Sequence, residues 1–313
     1  MSTKLAIALL SLAAFAPGCK KGSGGGGGGW FVGTDGTMRQ ITDDGALGQD
    51  YNLGATETLN AIACRDKGEA WVVGEHGTLL YTNDGGDSWS SEDLATTATL
   101  RTLATQDAGP VFLAGDNAFF TATPAADGTA AWQSLANGAN FTSLASAQRG
   151  STVLALADDG RIFSYADGAL TLRSTIAGAH ALAVSPDGLT ALAAGNGLSI
   201  SRDAGATWTQ LVTNPGARFE DVRVDNDGSG NAVGAAGLAA MIDSDGRVLH
   251  SKLGDANLHT MKVGGWASTA RTGYAAGDGG ETWLTADGGW SWTAGPNVGG
   301  TVLGVDIIGA GHR

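Results

Sequence analysis

Thr82-Asn-Asp-Gly-Gly-Asp-Ser-Trp89 places two carboxylates, two hydroxyls, a glycine pair and an indole within eight positions. Alone, the stretch suits a metal loop, a catalytic loop or a structural turn. Two further copies decide between them: Ser201-x-Asp203-x-Gly205-x-Thr207-Trp208 and Thr285-x-Asp287-x-Gly289-x-Ser291-Trp292. A reaction needs one constellation, whereas a repeating fold needs its turn in every repeat. One such turn also offers only two or three carboxylate and hydroxyl oxygens, where Ca²⁺ takes six to eight.

Around these turns the chain repeats at about forty residues. An apolar segment usually ending in glycine recurs seven times, from Trp30-Phe-Val-Gly33 and Trp71-Val-Val-Gly74 through Tyr274-Ala-Ala-Gly277. Aspartates recur at Asp44, Asp84, Asp127, Asp167, Asp203, Asp245 and Asp287. A third phase comprises Leu59–Cys64, Leu100–Thr105, Phe141–Ser146, Ala179–Val184, Phe219–Val224, Leu258–Val263 and residues 302–308, each short and largely alternating. Every unit reads as four short strands joined by glycine-bearing turns, consistent with the 51 glycines in 313 residues. Four strands at this period predict an all-β fold, a seven-bladed β-propeller over residues 30–311. The body opens on a second-type strand at Trp30 and ends on an unpartnered first-type strand. The C-terminal strand is therefore expected to close the ring in the N-terminal blade, which removes two free edges.

The three full turns resemble the Asp-box, or BNR, motif of sialidases and related propellers. Over residues 30–311 the repeats are most similar to photosystem II assembly-factor-like propellers, whose units read apolar-Gly, Gly-strand, Ser/Thr-x-Asp-Gly-Gly-x-x-Trp. The resemblance implies a non-catalytic, protein-binding propeller; in photosynthetic relatives it implies recognition of a membrane-protein subunit through a basic patch. This chain has 31 acidic against 18 basic residues, and its arginines are scattered. The fold carries over, and that patch does not. The boxes are given a structural role. Asp84, Asp203 and Asp287 accept amide hydrogen bonds one or two residues on, while Trp89, Trp208 and Trp292 pin the hairpin that follows.

The N-terminus carries targeting information. A basic start, an apolar run over residues 5–15 and Ala16-Pro-Gly-Cys19 form a signal-peptide core too short to span a bilayer. The small residues before Cys19 resemble a bacterial lipoprotein processing site, with Ala16 where leucine is usual. The expected layout is a signal peptide over residues 1–18, acylated Cys19 with a Lys/Gly-rich tether over 19–29, and the propeller. It places the protein on the bacterial cell envelope, lipid-anchored at the outer membrane. Cys64 is the one remaining cysteine and is expected to behave as a small buried hydrophobe.

Enzyme and metal chemistry find little support. The five histidines are dispersed, the four tyrosines lie in no nucleophile context, and no sialidase-type arginine segment opens the body. No catalytic residue, metal or cofactor is assigned. A net charge of −13 argues against nucleic acid, whose affinity comes from Lys and Arg on phosphates. The candidate site is instead a surface. Loops joining second and third strands lie opposite the boxes and carry Asp35, Glu75, His76, Asp116, Asp158, Asp159 and Asp278. They suggest an acidic face for a basic segment of another envelope protein. The alternative is a glycan-binding or glycan-cleaving propeller using Trp266, Trp283 or Trp290.

Overall fold

A computed structural model of the chain describes residues 28–42, 45–51, 56–65, 68–107, 109–125, 130–135, 138–213, 218–264 and 272–307. The signal peptide, Cys19, most of the tether, Asp44, Asp127 and Trp266 lie outside the described residues. Seven four-stranded antiparallel sheets form the ring, so the seven-bladed propeller holds. Blades II to VII begin with inner strands Leu59–Cys64, Leu100–Thr105, Phe141–Ser146, Ala179–Val184, Phe219–Val224 and Leu258–Val263, and each runs outward in chain order. Blade I takes its inner strand, Val302–Ile307, from the other end of the chain and pairs it with Gly29–Gly33. Gly29, placed in the tether by sequence, belongs to this strand. A Cβ there would lie 2.1 Å from the Asp306 carbonyl oxygen, so the strands approach as closely as only glycine allows.

The hydrophobic core is not central. It is divided into seven clusters, each sandwiched between neighbouring blades. Trp71, Leu79 and Tyr81 of blade II meet Leu100, Leu113 and Phe120 of blade III. Phe31, Ile41, Val302 and Val305 of blade I meet Tyr274 and Ala276 of blade VII. That last cluster exists only because the ring closes, and the Tyr274 hydroxyl seals it with a 2.9 Å bond to the Gly45 carbonyl.

The three full boxes act as clamps with a division of labour unlike the simplest expectation. The Thr82 hydroxyl, not the aspartate, accepts the nearby amides of Asp84 (3.3 Å) and Gly86 (2.9 Å). Asp84 accepts that hydroxyl at 2.7 Å and reaches four residues on, to the Ser88 amide at 2.9 Å and hydroxyl at 2.6 Å. Ser201, Asp203 and Thr207 repeat the pattern, as do Thr285, Asp287 and Ser291. The box glycine packs on the preceding blade, Gly86 against Trp30, Gly205 against Leu154 and Gly289 against Asn231. The tryptophans follow it there. Trp89 stands edge-on to Trp30 at 5.6 Å, and Trp208 and Trp292 are half-buried against blades IV and VI. The indole thus fastens blade to blade as well as hairpin to strand.

Two degenerate copies have other geometry. Asp167 and Gly168 form a two-residue hairpin turn with both φ positive. In blade VI, Asp243 rather than Asp245 takes the Arg247 amide at 2.8 Å.

Deleting residues 302–313 should abolish cooperative unfolding. It strips Val302 and Val305 from the closing cluster, at about 1.5–3 kcal/mol for each fully buried side chain, and exposes an unpaired edge. Together these rival a total stability of about 5–15 kcal/mol. A truncated chain that melts like the parent in calorimetry would refute closure by this strand. The boxes carry a separate expectation. The Thr207 and Ser291 hydroxyls and amides draw Asp203 and Asp287 down to about 2. A depressed carboxylate contributes stability that is present above its unfolded value near 4 and is lost as pH falls through about 2. Carboxyl titration by NMR should give both midpoints near 2; midpoints near 4 would show that the clamps do not form.

Candidate functional site

Each inner strand has six residues, and their roles become clear once the seven are aligned on the first. First residues are apolar and buried: Val302, Leu59, Leu100, Phe141, Ala179, Phe219 and Leu258. A bulge follows in every blade, where the pairing register skips the second residue. A bulge re-aims a side chain out of the ladder. Here it points seven residues of six kinds, Leu303, Asn60, Arg101, Thr142, His180, Glu220 and His259, into the mouth of a central channel of about 730 Å³.

The loops between second and third strands surround this mouth. In all seven blades the first loop amide donates to the carbonyl preceding the inner strand, as in Glu75 to Thr58 and Asp116 to Thr99. The acidic residues read from sequence therefore do share one face, but most are engaged. Arg101 donates to both carboxylate oxygens of Asp116, at 2.7 and 2.9 Å. Asp278 pairs with His259 at 2.7 Å and accepts the Asn257 amide nitrogen at 2.8 Å. Asp159 accepts from Arg161 at 2.6 Å, Asp158 accepts from Asn140 at 3.1 Å, and Glu75 accepts the Thr58 amide at 3.3 Å. Hydrogen bonds from the Arg161 amide and from the His259 ring hold the Asp159 and Asp278 carboxyls below the usual range. Asp35 and His76 sit exposed at loop tips with φ of 55° and 54°. Glu220 is paired with Arg218 at 2.7 Å. Burial and the nearby Arg218 charge lower His180. The face is a mosaic of paired charges rather than an open field of carboxylates.

Of the glycan candidates, Trp283 donates to Glu281 at 2.9 Å and is half-buried, while Trp290 is 65% exposed on the box side.

Sequence reading passed over the channel itself. Antiparallel pairing turns the amides of fourth and sixth residues away from the second strand and toward the ring interior. Five of the seven fourth-residue amides find a side-chain acceptor. Thr102, Ser143 and Thr260 each reach across to the next blade, at Leu144 (2.9 Å), Leu182 (3.0 Å) and Val305 (3.2 Å). Asp221 serves two, its own neighbour Val222 at 2.7 Å and Met261 of the next blade at 2.6 Å. Asp306 repeats that device one layer deeper, accepting from Ile307 and from Cys64, both at 2.8 Å. It also pairs with Lys262 at 2.8 Å, and that charge raises the Lys262 ammonium. Lys262 keeps 41% of its side chain open to the channel. Cys64, expected to behave as a small buried hydrophobe, is half-buried: it packs against the apolar cluster between blades I and II and also lines the channel.

Burial pushes Asp221 up to about 6, against the pull of its two amides and Lys262. Between about pH 4 and 6 the folded chain then holds a proton that the unfolded chain has lost. Stability should fall as pH rises across that window and level off above it. Asp221→Asn should flatten the profile of melting temperature against pH; a variant with the parental slope would assign it to other groups.

No protein-family model and no curated protein matches this sequence. Solved structures do. The chain is similar to a YCF48 protein bound to D1 peptide, at 18% identity and a TM-score of 0.61, covering 80% of this chain and 88% of that one. It is similar to a Lactobacillus plantarum protein at 16% identity and TM-score 0.70, covering 90% and 99%. Virginiamycin B lyase from Staphylococcus aureus follows at 15% identity and TM-score 0.61, covering 76% and 84%. At these identities the likeness is one of fold, shared by a peptide-bound propeller and an enzyme.

Proposed function

We propose that this chain is a non-catalytic binding module of the bacterial cell envelope, anchored through acylated Cys19, which holds an extended segment of a partner protein across its channel mouth. One observation carries the reading. Along the inner strands the first position keeps one chemical character in every blade, while the bulge position beside it presents leucine, asparagine, arginine, threonine, histidine, glutamate and histidine. The fold needs the first position to be uniform and asks nothing of the second. Variety at a ring of half-buried positions that face the mouth is what recognition uses. The peptide held by the YCF48 propeller supports the same kind of partner.

The non-catalytic reading rests on how the mouth is wired. Arg101, Glu220 and His259 are each tied to a charged neighbour on the same face, which fixes their positions. Pairing also changes the expected partner. A mosaic of donors and acceptors fits a polar segment of mixed charge better than the purely basic segment that composition suggests. The sialidase-like alternative has only the exposed Trp290 in its favour.

Photocrosslinking in intact cells tests this reading. A reactive residue at His76 or Asn117, both exposed at the mouth face, should capture a discrete protein, whereas one at Asp87 on the box face should not. Adducts from Asp87 alone, or none from the mouth, would overturn it. The double variant Arg101→Ala, Glu220→Ala should cut capture at least tenfold with little change in melting temperature, since exposed ion pairs contribute about 0–1 kcal/mol. Cys19→Ser should move the protein from the membrane to the soluble fraction; unchanged fractionation would refute anchoring.

A further inference from the structure

Exposed hydrophobic side chains are spread unevenly over the two ends of the ring. Among the described residues four large ones stand out: Leu172, Leu189, Leu249 and Trp290. None lies at the mouth. Leu172 sits mid-strand on the outer rim of blade IV, and the other three lie at the opposite, box-bearing end. Leu189 belongs to the loop between first and second strands of blade V, where its carbonyl accepts the Ala204 amide of the box at 2.9 Å. Leu249 follows the box-side turn of blade VI, as second residue of the outer strand Val248–Lys252. It shares one row across that sheet with Met241 and Asn231, and Gly289 of the blade VII box packs on Asn231. Leu249 is therefore two strand spacings, about 10 Å, from the residue on which that turn rests. Trp290 is the next residue of the turn and is 65% exposed. The fold does not ask for an indole there. Equivalent box positions hold Asp87 and Ala206, and their boxes close through the same hydroxyl and aspartate bonds.

The direction of the chain adds a second observation. Gly29–Gly33 runs into the mouth loop Thr34–Gly36, so the strand starts at the box end, where Gly29 pairs with Ile41. The chain thus enters the ring at the box end of blade I, whose neighbour is blade VII. On the anchoring reading above, on which this inference rests, a glycine-rich tether reaches about 15–20 Å from acylated Cys19 to that entry. The end turned to the lipid is then the end with the exposed indole and leucines. Tethering makes even a weak contact intramolecular.

Charge narrows the kind of surface. Exposed carboxylates at this end, those of the three full boxes with Asp87, Asp187 and Asp245, outnumber the exposed guanidiniums of Arg149, Arg202 and Arg247 among the described residues. A second copy brought box end to box end would set these carboxylates against their like. Anionic headgroups would be repelled in the same way. A zwitterionic headgroup bearing an ammonium offers the opposite charge at its outer edge. Indole suits such a boundary, with an apolar body and an N–H for a polar neighbour.

We infer that the box end of blades V to VII lies on a zwitterionic lipid bilayer, with Trp290 and Leu249 at the headgroup boundary, which turns the mouth away from the membrane and toward the partner segment.

The full chain, expressed in bacteria and purified in detergent, is reconstituted into vesicles of phosphatidylethanolamine and phosphatidylcholine, part of the latter brominated near the headgroup end of its acyl chains. Flotation reports anchoring, and quenching of tryptophan fluorescence by bromine reports contact. The parent should float and be quenched. Trp290→Ala, an exchange that Ala206 shows the box tolerates, should float equally and lose most of the quenching; Leu249→Ser should weaken it several-fold. Replacing phosphatidylethanolamine with phosphatidylglycerol should reduce quenching of the parent. A parent that does not float overturns the anchor and this orientation together. One that floats with quenching untouched by Trp290→Ala overturns the orientation alone, as does stronger quenching on phosphatidylglycerol. A Trp290-dependent emission shift with N-acetyl-D-glucosamine, or a Trp290-dependent dimer in sedimentation, would overturn it in favour of a glycan or a second copy.

Discussion

Everything in this ring depends on one constraint: a single blade cannot bury its own faces. Each sheet is apolar on both sides, and the only cover available is the next sheet, so the core exists as seven interblade layers rather than one interior. Closure is the condition under which all seven layers form at once. The same constraint creates the channel, because the inner edge of every sheet faces six other inner edges and has no strand to pair with. Side chains from the neighbouring blade satisfy that edge where they can. Asp221 and Asp306 do so with one carboxylate serving two blades, which gives carboxylates inside the ring a structural task.

The fold was legible because repetition is a signal that survives poor conservation between copies. Glycine-ended apolar segments and aspartate turns at about forty residues gave strand number, blade number and the closing strand. Chemistry within the turns was less visible. Sequence assigns Asp84 the role of local amide acceptor, yet Thr82 takes those amides, since the hydroxyl is the shorter reach. Asp245 looked like a box aspartate, and Asp243 proves to be the acceptor, because spacing alone does not fix which carboxylate enters the turn.

The acidic loop residues were correctly placed on one face, but their partners were not foreseeable. Arg101 meets Asp116 across 15 positions and His259 meets Asp278 across 19, through the bulge that aims them. A net charge of −13 consequently says little about this surface. The channel left a trace that was overlooked. Aligned on their buried first residues, the inner strands show alanine at the fifth position in Ala63, Ala104, Ala145 and Ala183, against Arg223, Lys262 and Asp306 in the others. That contrast is readable from the repeat alone, once register within the strand is treated as information.

Blade I has a mechanical consequence. Its strand Gly29–Gly33 is not an edge, for it is hydrogen-bonded to Val302–Ile307 on one side and to Met38–Ile41 on the other. Tension entering the fold at Gly29 along the strand axis loads two ladders in parallel, as shear, so their bonds must break together rather than one after another. A body held by its first strand is thus attached at a point that resists pulling better than any outer strand would. The outermost strands, as short as two residues in Ser90–Ser91 or Thr293–Ala294, would peel. Threading the N-terminal strand between two partners makes the chain's entry into the ring its toughest seam.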